Sequence, residues 1–344
     1  MVQYPFTDAP APGQLIEVAP AVNWLRMPLP FALNHINLWV LGDGDAVTLV
    51  DTGVDTSATR ELWGQIFAGP LAGKTIERLI CTHFHPDHMG LAGWLKREYG
   101  IAVHMTPREY DAAKLWHGQQ NDTLIEKLIG YLISGGIPEE VARTAAAQRG
   151  KIPSLVSSVP EAIVAIDPTA PIMAGGLAWR ITIGEGHAPQ LVTLFNAESK
   201  VLISSDQILP QISPNISVSP YTPDANPLKL FIDGFARFRD LPEDTLVLPS
   251  HRMPFHGLHT RIEALIAHHH DRLEAARTAC AAPAAASPVT AFKVMAALFP
   301  RTLDAHQTFF ALGETVAHLN YLMAEGQVVR TSRADGAWVY RAAA

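Results

Sequence analysis

Four side chains that can hold a metal ion or carry a proton fall within six residues, in His83-x-His85-x-Asp87-His88. They follow directly on an apolar run, Ile76–Cys81, of strand composition. On an extended or turning backbone, side chains alternate, so His83 and His85 can point the same way. Asp87 and His88, past the bend at Pro86, can face a second position. Imidazole and carboxylate without thiolate suit Zn²⁺, and also Fe or Mn. The motif alone is short of ligands for two ions. Further candidates stand in loops after strands: His187 in Gly184-Glu185-Gly186-His187-Ala188, Asp206 in Ser204-Ser205-Asp206, and His251 in Pro249-Ser250-His251. Each follows an apolar strand, so each can reach the same edge of a layered fold. Structural zinc sites usually close with four ligands, commonly including Cys. Cys81 and Cys280 cannot make such a cluster or a disulfide framework.

Residues placed this way need strands that end together. Ile36–Val40 and Ala46–Val50 are β-formers separated by Gly42-Asp43-Gly44-Asp45, which predicts a hairpin ending at Asp51-Thr52-Gly53. A helix over Ala58–Phe67, the strand Ile76–Cys81, a helix near Gly90–Glu98 and a strand over Ala102–Met105 continue the rhythm of a layered α/β protein. From Pro107 to Ser158 the pattern is helical, with helices expected at Arg108–Trp116, Thr123–Ser134 and Glu139–Arg149. An insertion of this size is a candidate lid or substrate wall, with Gly135-Gly136 as its hinge. Strands return at Ala162–Ile166, Ala178–Ile183, Leu191–Asn196, Lys200–Ser204 and Thr245–Pro249, with an amphipathic helix at Leu228–Phe238 between the last two. A long helix is expected over Thr260–Ala279, then an Ala/Pro/Ser linker at Ala281–Pro288. Helices over Val289–Phe299 and Thr308–Glu325 precede a terminal hairpin, Val328–Ser332 with Ala337–Arg341.

Composition narrows the choice. At about 150 residues per domain the chain allows two domains, and 48% hydrophobic residues exclude a mainly disordered protein. Lys plus Arg number 26 against 33 Asp plus Glu, a formal charge of −7, which offers no general footprint for nucleic acid. No run approaches the ~20 apolar residues of a membrane span. The opening MVQYPFTDAPAPGQ has no basic run leading into an apolar one. A cytoplasmic protein is therefore expected.

Asp51-Thr52-Gly53, the His83–His88 motif, and the later His187, Asp206 and His251 together resemble the metallo-β-lactamase fold superfamily, over nearly the whole chain. The resemblance implies an α/β fold, an αββα sandwich with a dinuclear site at one edge. His83, His85 and His187 would hold one divalent ion, and Asp87, His88 and His251 the other. Asp206 would bridge them, and Asp51 would orient ligands from the sheet below. Asp87 beside His88 resembles the glyoxalase II-like hydrolases. The tail resembles β-lactamase-like proteins with a winged-helix-like C-terminal domain. The implied organisation is a catalytic domain over 1–280, with a helical insertion at about 107–158, and a C-terminal domain over 281–344. One departure stands out: where the family often has Gly-His-Gly, this chain has Ser250-His251-Arg252, with a cation near the mouth.

The activity expected is a metal-dependent hydrolase with two divalent transition-metal ions, Zn before Fe or Mn. They would lower the pKa of a bridging water, which attacks a thioester, ester or lactone, with Asp87 orienting it. The alternative is a β-lactamase-like endoribonuclease or phosphodiesterase using the same site. The expected partners are a small-molecule substrate and a second copy of the chain, with neither nucleic acid nor membrane. His268-His269-His270 reads as a helix face rather than a metal tract, because consecutive helical residues fan around the axis. His256 and His259 read as surface loop residues. His104, His117, Trp116 and Tyr131 border or lie in the insertion.

Overall fold

The computed structural model describes residues 1–118, 121–281 and 288–343. Its largest sheet runs in chain order: β1 (Leu15–Ala19), β2 (Val22–Pro28), β3 (His35–Leu41), β4 (Ala46–Val50), β5 (Thr75–Ile80), β6 (Val103–Met105) and β7 (Val164–Ala165). The second comprises β8 (Ile172–Ala174), β9 (Leu177–Gly184), β10 (Leu191–Asn196), β11 (Val201–Ser205) and β12 (Leu246–Pro249), in the order β12-β11-β10-β9-β8. The helices are α1 (Ser57–Ala68), α2 (Pro86–Met89), α3 (Ala92–Tyr99), α4 (Pro107–His117), α5 (Asn121–Ser134), α6 (Glu139–Arg149), α7 (Pro227–Gly234), α8 (Leu258–Ala281), α9 (Ala291–Leu298) and α10 (Ala305–Ala324).

Side-chain alternation builds the layers. In β2, β3 and β4, Leu25, Met27, Ile36, Leu38, Val40, Val47 and Leu49 face Trp63 and Ile66 of α1 and Leu95 of α3. Their neighbours Val22, Trp24, Trp39, Leu41 and Val50 face Trp179, Ile181, Val192, Leu194 and Ile203 of the second sheet. Strands buried on both faces read as nearly continuous apolar runs, as β3 and β4 do. This is the expected sandwich. The expected hairpin joins β3 to β4, and Gly42 is required there: its φ is +115°, and a Cβ would meet Ala46 O at 2.8 Å and Gly175 Cα at 3.2 Å. β4, β5 and β6 are parallel, so crossovers through α1 and α3 bring their C-terminal ends to one edge.

Two compact units account for the chain: Met1–Gly118, Ile152–Pro214 and Ala236–Ile262 in the first; Gln119–Lys151, Asn215–Phe235 and Glu263–Ala344 in the second. The expected single insertion is therefore divided. α4 belongs with the sandwich, while α5 and α6 pack with the C-terminal segment. Gly135-Gly136 is no hinge but a close approach: a Cβ on Gly136 would lie 2.5 Å from Thr290, and one on Gly135 2.6 Å from Leu312. α10 is buried nearly all round, which makes it the core of the second unit. A small sheet, β13 (Val289–Thr290), β14 (Val328–Ser332) and β15 (Trp338–Ala342) in the order β13-β15-β14, completes that unit. Thr290 ends β13 and caps α9, so the helix expected from Val289 starts two residues later. The Asp304–Gln307 capping box starts α10 three residues before the expected Thr308. The expected linker falls largely on 282–287, outside the described residues.

The histidine run fans around α8 as expected: His270 is exposed, His268 half-buried and His269 fully buried. His269 Nδ1 lies 3.3 Å from His318 Nε2, and His318 Nδ1 donates to Glu314 O at 2.8 Å. With Nδ1 donating, His318 must be neutral for its Nε2 to accept from His269 Nδ1. Burial, with the charges of neighbouring His and Arg residues, pushes His269 down to about 2, and burial above all pushes His318 down to about 4. An unfolded histidine titrates near 6.5, so the stability these rings allow is complete above that pH and is lost as pH falls below it. At pH 5 the loss is about 2 kcal/mol for a histidine that stays neutral when folded. Denaturant unfolding of the full chain at pH 7.5 and pH 5.0 should show His269→Gln losing less stability on acidification than the wild type. Equal losses would show that His269 is not held neutral.

Candidate metal centre

Asp51, Thr82 and the whole His83–His88 motif follow the C-terminal ends of β4 and β5, which are parallel neighbours. β11 and β12 are parallel too, so Asp206 and His251 leave the second sheet side by side, with Ser250 N donating to Ser205 O. His187 sits in the turn between β9 and β10. The motif is not one loop leading to one helix. Pro86 opens the short helix α2, which carries Asp87 and His88, and α3 begins separately at Ala92.

The seven candidate side chains meet at this edge in three overlapping groups: His83, His85 and His187; His83, His88 and Asp206; Asp87, His88 and His251. Among the described residues no other group of three or more His, Cys, Asp or Glu side chains is arranged to hold an ion. His83 Nε2 is 2.9 Å from His85 Nδ1. Asp206 Oδ2 is 3.3 Å from His187 Nε2 and 3.6 Å from His88 Nε2, and its Oδ1 is 3.5 Å from His251 Nε2. His251 Nε2 is 3.4 Å from Asp87 Oδ2. Two ligands about 2.1 Å from one ion at a tetrahedral angle stand about 3.4 Å apart, so the 3.3–3.6 Å separations around Asp206, His251 and Asp87 suit shared coordination. A second observation agrees. His88 Nε2 and Asp206 Oδ1 are buried with no hydrogen-bond partner among the described residues, which a cation would relieve. The nitrogen and oxygen donors fit a divalent transition metal.

The rings are aimed from behind. Asp51 Oδ2 accepts from His88 Nδ1 at 2.8 Å and from Thr82 Oγ1 at 2.8 Å, while Oδ1 accepts from Thr82 N at 2.7 Å. Thr82 Oγ1 also lies 3.1 Å from His83 Nδ1 and 2.9 Å from Ser205 Oγ. His251 Nδ1 donates to His35 O at 3.0 Å. With Nδ1 engaged, His83, His88 and His251 each present Nε2 to the cluster. The His251 turn is held in turn by Asn37, whose Nδ2 donates to Pro249 O and Arg252 O, and by Arg26, which donates to Asn37 Oδ1 and Arg252 O. Three residues at these strand ends, Asp51, Ser205 and Arg252, have φ of +64°, +48° and +73°. Arg252 takes up a left-handed conformation that glycine would adopt more freely.

Electrostatics divides the imidazoles. Burial and neighbouring rings hold His83 and His85 well below the usual histidine range, so both rings are neutral, the form a metal takes. Burial would lower His88 and His251 too, but carboxylates overcome it. Asp51, Asp87 and Asp206 raise His88 well above its ordinary value, and Asp206 and Asp87 raise His251 to about 10. The carboxylates thus call for positive charge, which a metal ion supplies better than a proton.

Thr82, Asn37 and Arg26 were not among the residues picked out from the sequence; each also binds a partner distant in the chain, Ser205, Pro249 and Arg252 respectively. His256 and His259 are not surface loop residues but ties, to Thr245 O at 3.1 Å and Leu241 O at 2.9 Å. His117 Nε2 lies 3.1 Å from Phe84 O within the motif, and Trp116 stacks at 6.5 Å on the Phe84 ring. Cys81 is a fully buried core residue, as expected.

A family model described as the metallo-beta-lactamase superfamily matches residues 33–251, and one for a metallo-beta-lactamase-like C-terminal domain matches residues 273–343. The chain is 30% identical to the probable metallo-hydrolase YqjP of Bacillus subtilis (strain 168), over 92% of this chain and 96% of that one. It is similar to the crystal structure of a beta-lactamase domain protein from Burkholderia ambifaria, with TM-score 0.90 and 40% identity, covering 99% of this chain and 98% of that one. A metallo-beta-lactamase family protein from Thermus thermophilus is similar at TM-score 0.79 and 29% identity, over 95% and 100% of the two chains.

Replacing Thr82 by Val keeps the shape and deletes the hydroxyl shared by Asp51, His83 and Ser205. Divalent-ion affinity, measured by chelator competition, should fall about 10–100-fold. The thermal midpoint should fall by a few degrees, for a loss of about 1–3 kcal/mol. Unchanged affinity would show that the hydroxyl does not aim the rings.

Proposed function

The chain belongs to the metallo-β-lactamase superfamily and is a metal-dependent hydrolase, and we propose that it holds two divalent ions and cleaves a thioester, ester or lactone. The observation that carries the dinuclear reading is the place of Asp206. Its carboxylate reaches ring nitrogens of both groups, Oδ2 lying between His187 of one and His88 of the other, and Oδ1 toward His251 of the second. His83, His85 and His187 would hold one ion, Asp87, His88 and His251 the other, with Asp206 between. Zinc suits this donor set best, with Fe or Mn as alternatives. When bound, such ions supply Lewis acidity and bring the pKa of water toward neutrality.

The chain's own groups then have distinct tasks. Burial would raise Asp87, but His88 and His251 beside it hold its carboxyl at about 2, so it remains an acceptor throughout the neutral range. An acceptor of this kind orients the attacking water through one of its protons. Asp206 supplies the negative charge that neighbouring cations need between them. The buried rings behind the edge exclude bulk water from the back of the site. A carbonyl substrate is favoured over a polyanion because the chain is acidic, at −7, and offers no general field to draw in nucleic acid.

Asp206→Asn barely changes volume and removes that negative charge. The variant should fold, lose tight binding of at least one ion, and lose most turnover, whereas His270→Gln on the exposed face of α8 should keep both. Metal content and turnover of the two variants, measured side by side, decide it; two ions and normal turnover in Asp206→Asn would mean that the bridge lies elsewhere. A panel of thioesters, esters, lactones, a phosphodiester and single-stranded RNA, run on one preparation, tests the substrate class. Cleavage of the phosphodiester or RNA with the carbonyl compounds inert would overturn the carbonyl assignment.

A further inference from the structure

Glu109 lies in the first turn of α4 with no exposed surface, yet it touches none of the candidate ligands directly through a hydrogen bond. Its two oxygens are spent on two backbone amides. Oε2 accepts from Phe84 N at 3.0 Å and Oε1 from Gln190 N at 2.5 Å. Phe84 stands between His83 and His85. Gln190 stands three residues after His187, where the turn re-enters β10. The same turn is held once more from α4, because Thr106, at its N-cap, donates from Oγ1 to Gln190 O at 3.1 Å. Gln190 is therefore gripped at both ends of its backbone, and one buried carboxylate joins the two chain segments that supply His83, His85 and His187.

The other ligand group is held differently. His88 rests on Asp51, and the His251 turn on Asn37 and Arg26. No hydrogen bond of Glu109 reaches these supports. We propose that Glu109 is a positioning residue for one ion of the pair: it sets the separation between the His83–His85 turn and His187, and so tunes affinity in the three-histidine half alone. This rests on the dinuclear reading above. The backbone amide is a strong donor whose burial without an acceptor is costly, so the carboxylate cannot be dropped without one segment moving.

Glu109→Gln is nearly isosteric but turns one acceptor into a donor facing an amide N–H. The test is stepwise titration of chelator-stripped protein with Co²⁺, followed by its visible absorption and by competition with a chromophoric chelator. His251→Ala, compared in parallel, marks the signal of the other half. Wild type should take up two ions. Glu109→Gln should bind the ion of the three-histidine half at least tenfold more weakly, with the other affinity and its spectrum unchanged and the thermal midpoint of the metal-loaded protein little altered. Wild type that takes up a single ion removes the dinuclear reading and this inference with it. Two ions in wild type and both affinities unchanged in Glu109→Gln overturn the inference alone. So does an equal loss at both halves with a lowered midpoint, which is the mark of general destabilisation. If Glu109→Gln fails to fold, Thr106→Val, which removes only the bond to Gln190 O, must weaken the same half selectively. A Thr106→Val protein with both affinities intact overturns the assignment.

Discussion

Buried imidazoles and carboxylates can share one small volume only if each is oriented by a partner outside the cluster and the charges within it balance. Asp51 meets the first condition for much of the edge. Held left-handed at the end of β4, it binds both the backbone and the hydroxyl of Thr82 and turns His88 so that Nε2 faces inward. Through Thr82 it reaches His83 on one side and Ser205, beside Asp206, on the other. The two sheets are thus joined at the point where the candidate ligands emerge. The second condition explains the division between neutral His83 and His85 and the strongly basic His88 and His251, which face the carboxylates.

The sandwich follows from strands that alternate between two apolar faces, and the apolar runs Ile36–Val40 and Ala46–Val50 already carry that pattern in the sequence. The candidate ligands were legible for a related reason. Four of them are packed into one strand-end motif, and His187, Asp206 and His251 each follow an apolar run, so chain order and strand direction bring them together. Asp51 apart, what holds them was not legible. Glu109 reads as an ordinary acidic residue in a helix's first turn, and Thr82 and Asn37 as unremarkable polar residues in or beside strands. Their partners are amides, carbonyls and side chains up to more than two hundred residues away, and such pairings leave no periodic trace.

The middle of the chain shows the same limit at larger scale. Helical periodicity correctly marks α4, α5 and α6, but says nothing about what each helix packs against. Periodicity is local, whereas membership of a compact unit is decided by long-range contacts: α4 goes with the sandwich, α5 and α6 with α10. The glycine pair that separates α5 from α6 reads as freedom of movement and is close packing against Thr290 and Leu312. A small residue in a turn permits motion or contact equally, and only the neighbours decide.

The left-handed exits at Asp51, Ser205 and Arg252 bear on how such a site can be diversified in the laboratory. Asp51 and Ser205 combine an unusual backbone with side-chain hydrogen bonds at the centre, so randomising either disturbs two things at once. Arg252 is different: Asn37 and Arg26 grip its carbonyl oxygen, which every residue type possesses. Gly, Asn or Asp can occupy that conformation with less strain than a branched side chain. A library at this edge therefore has an entry point at position 252, immediately beside His251, where the backbone filters the residue types and the grip on the carbonyl is kept by every one of them.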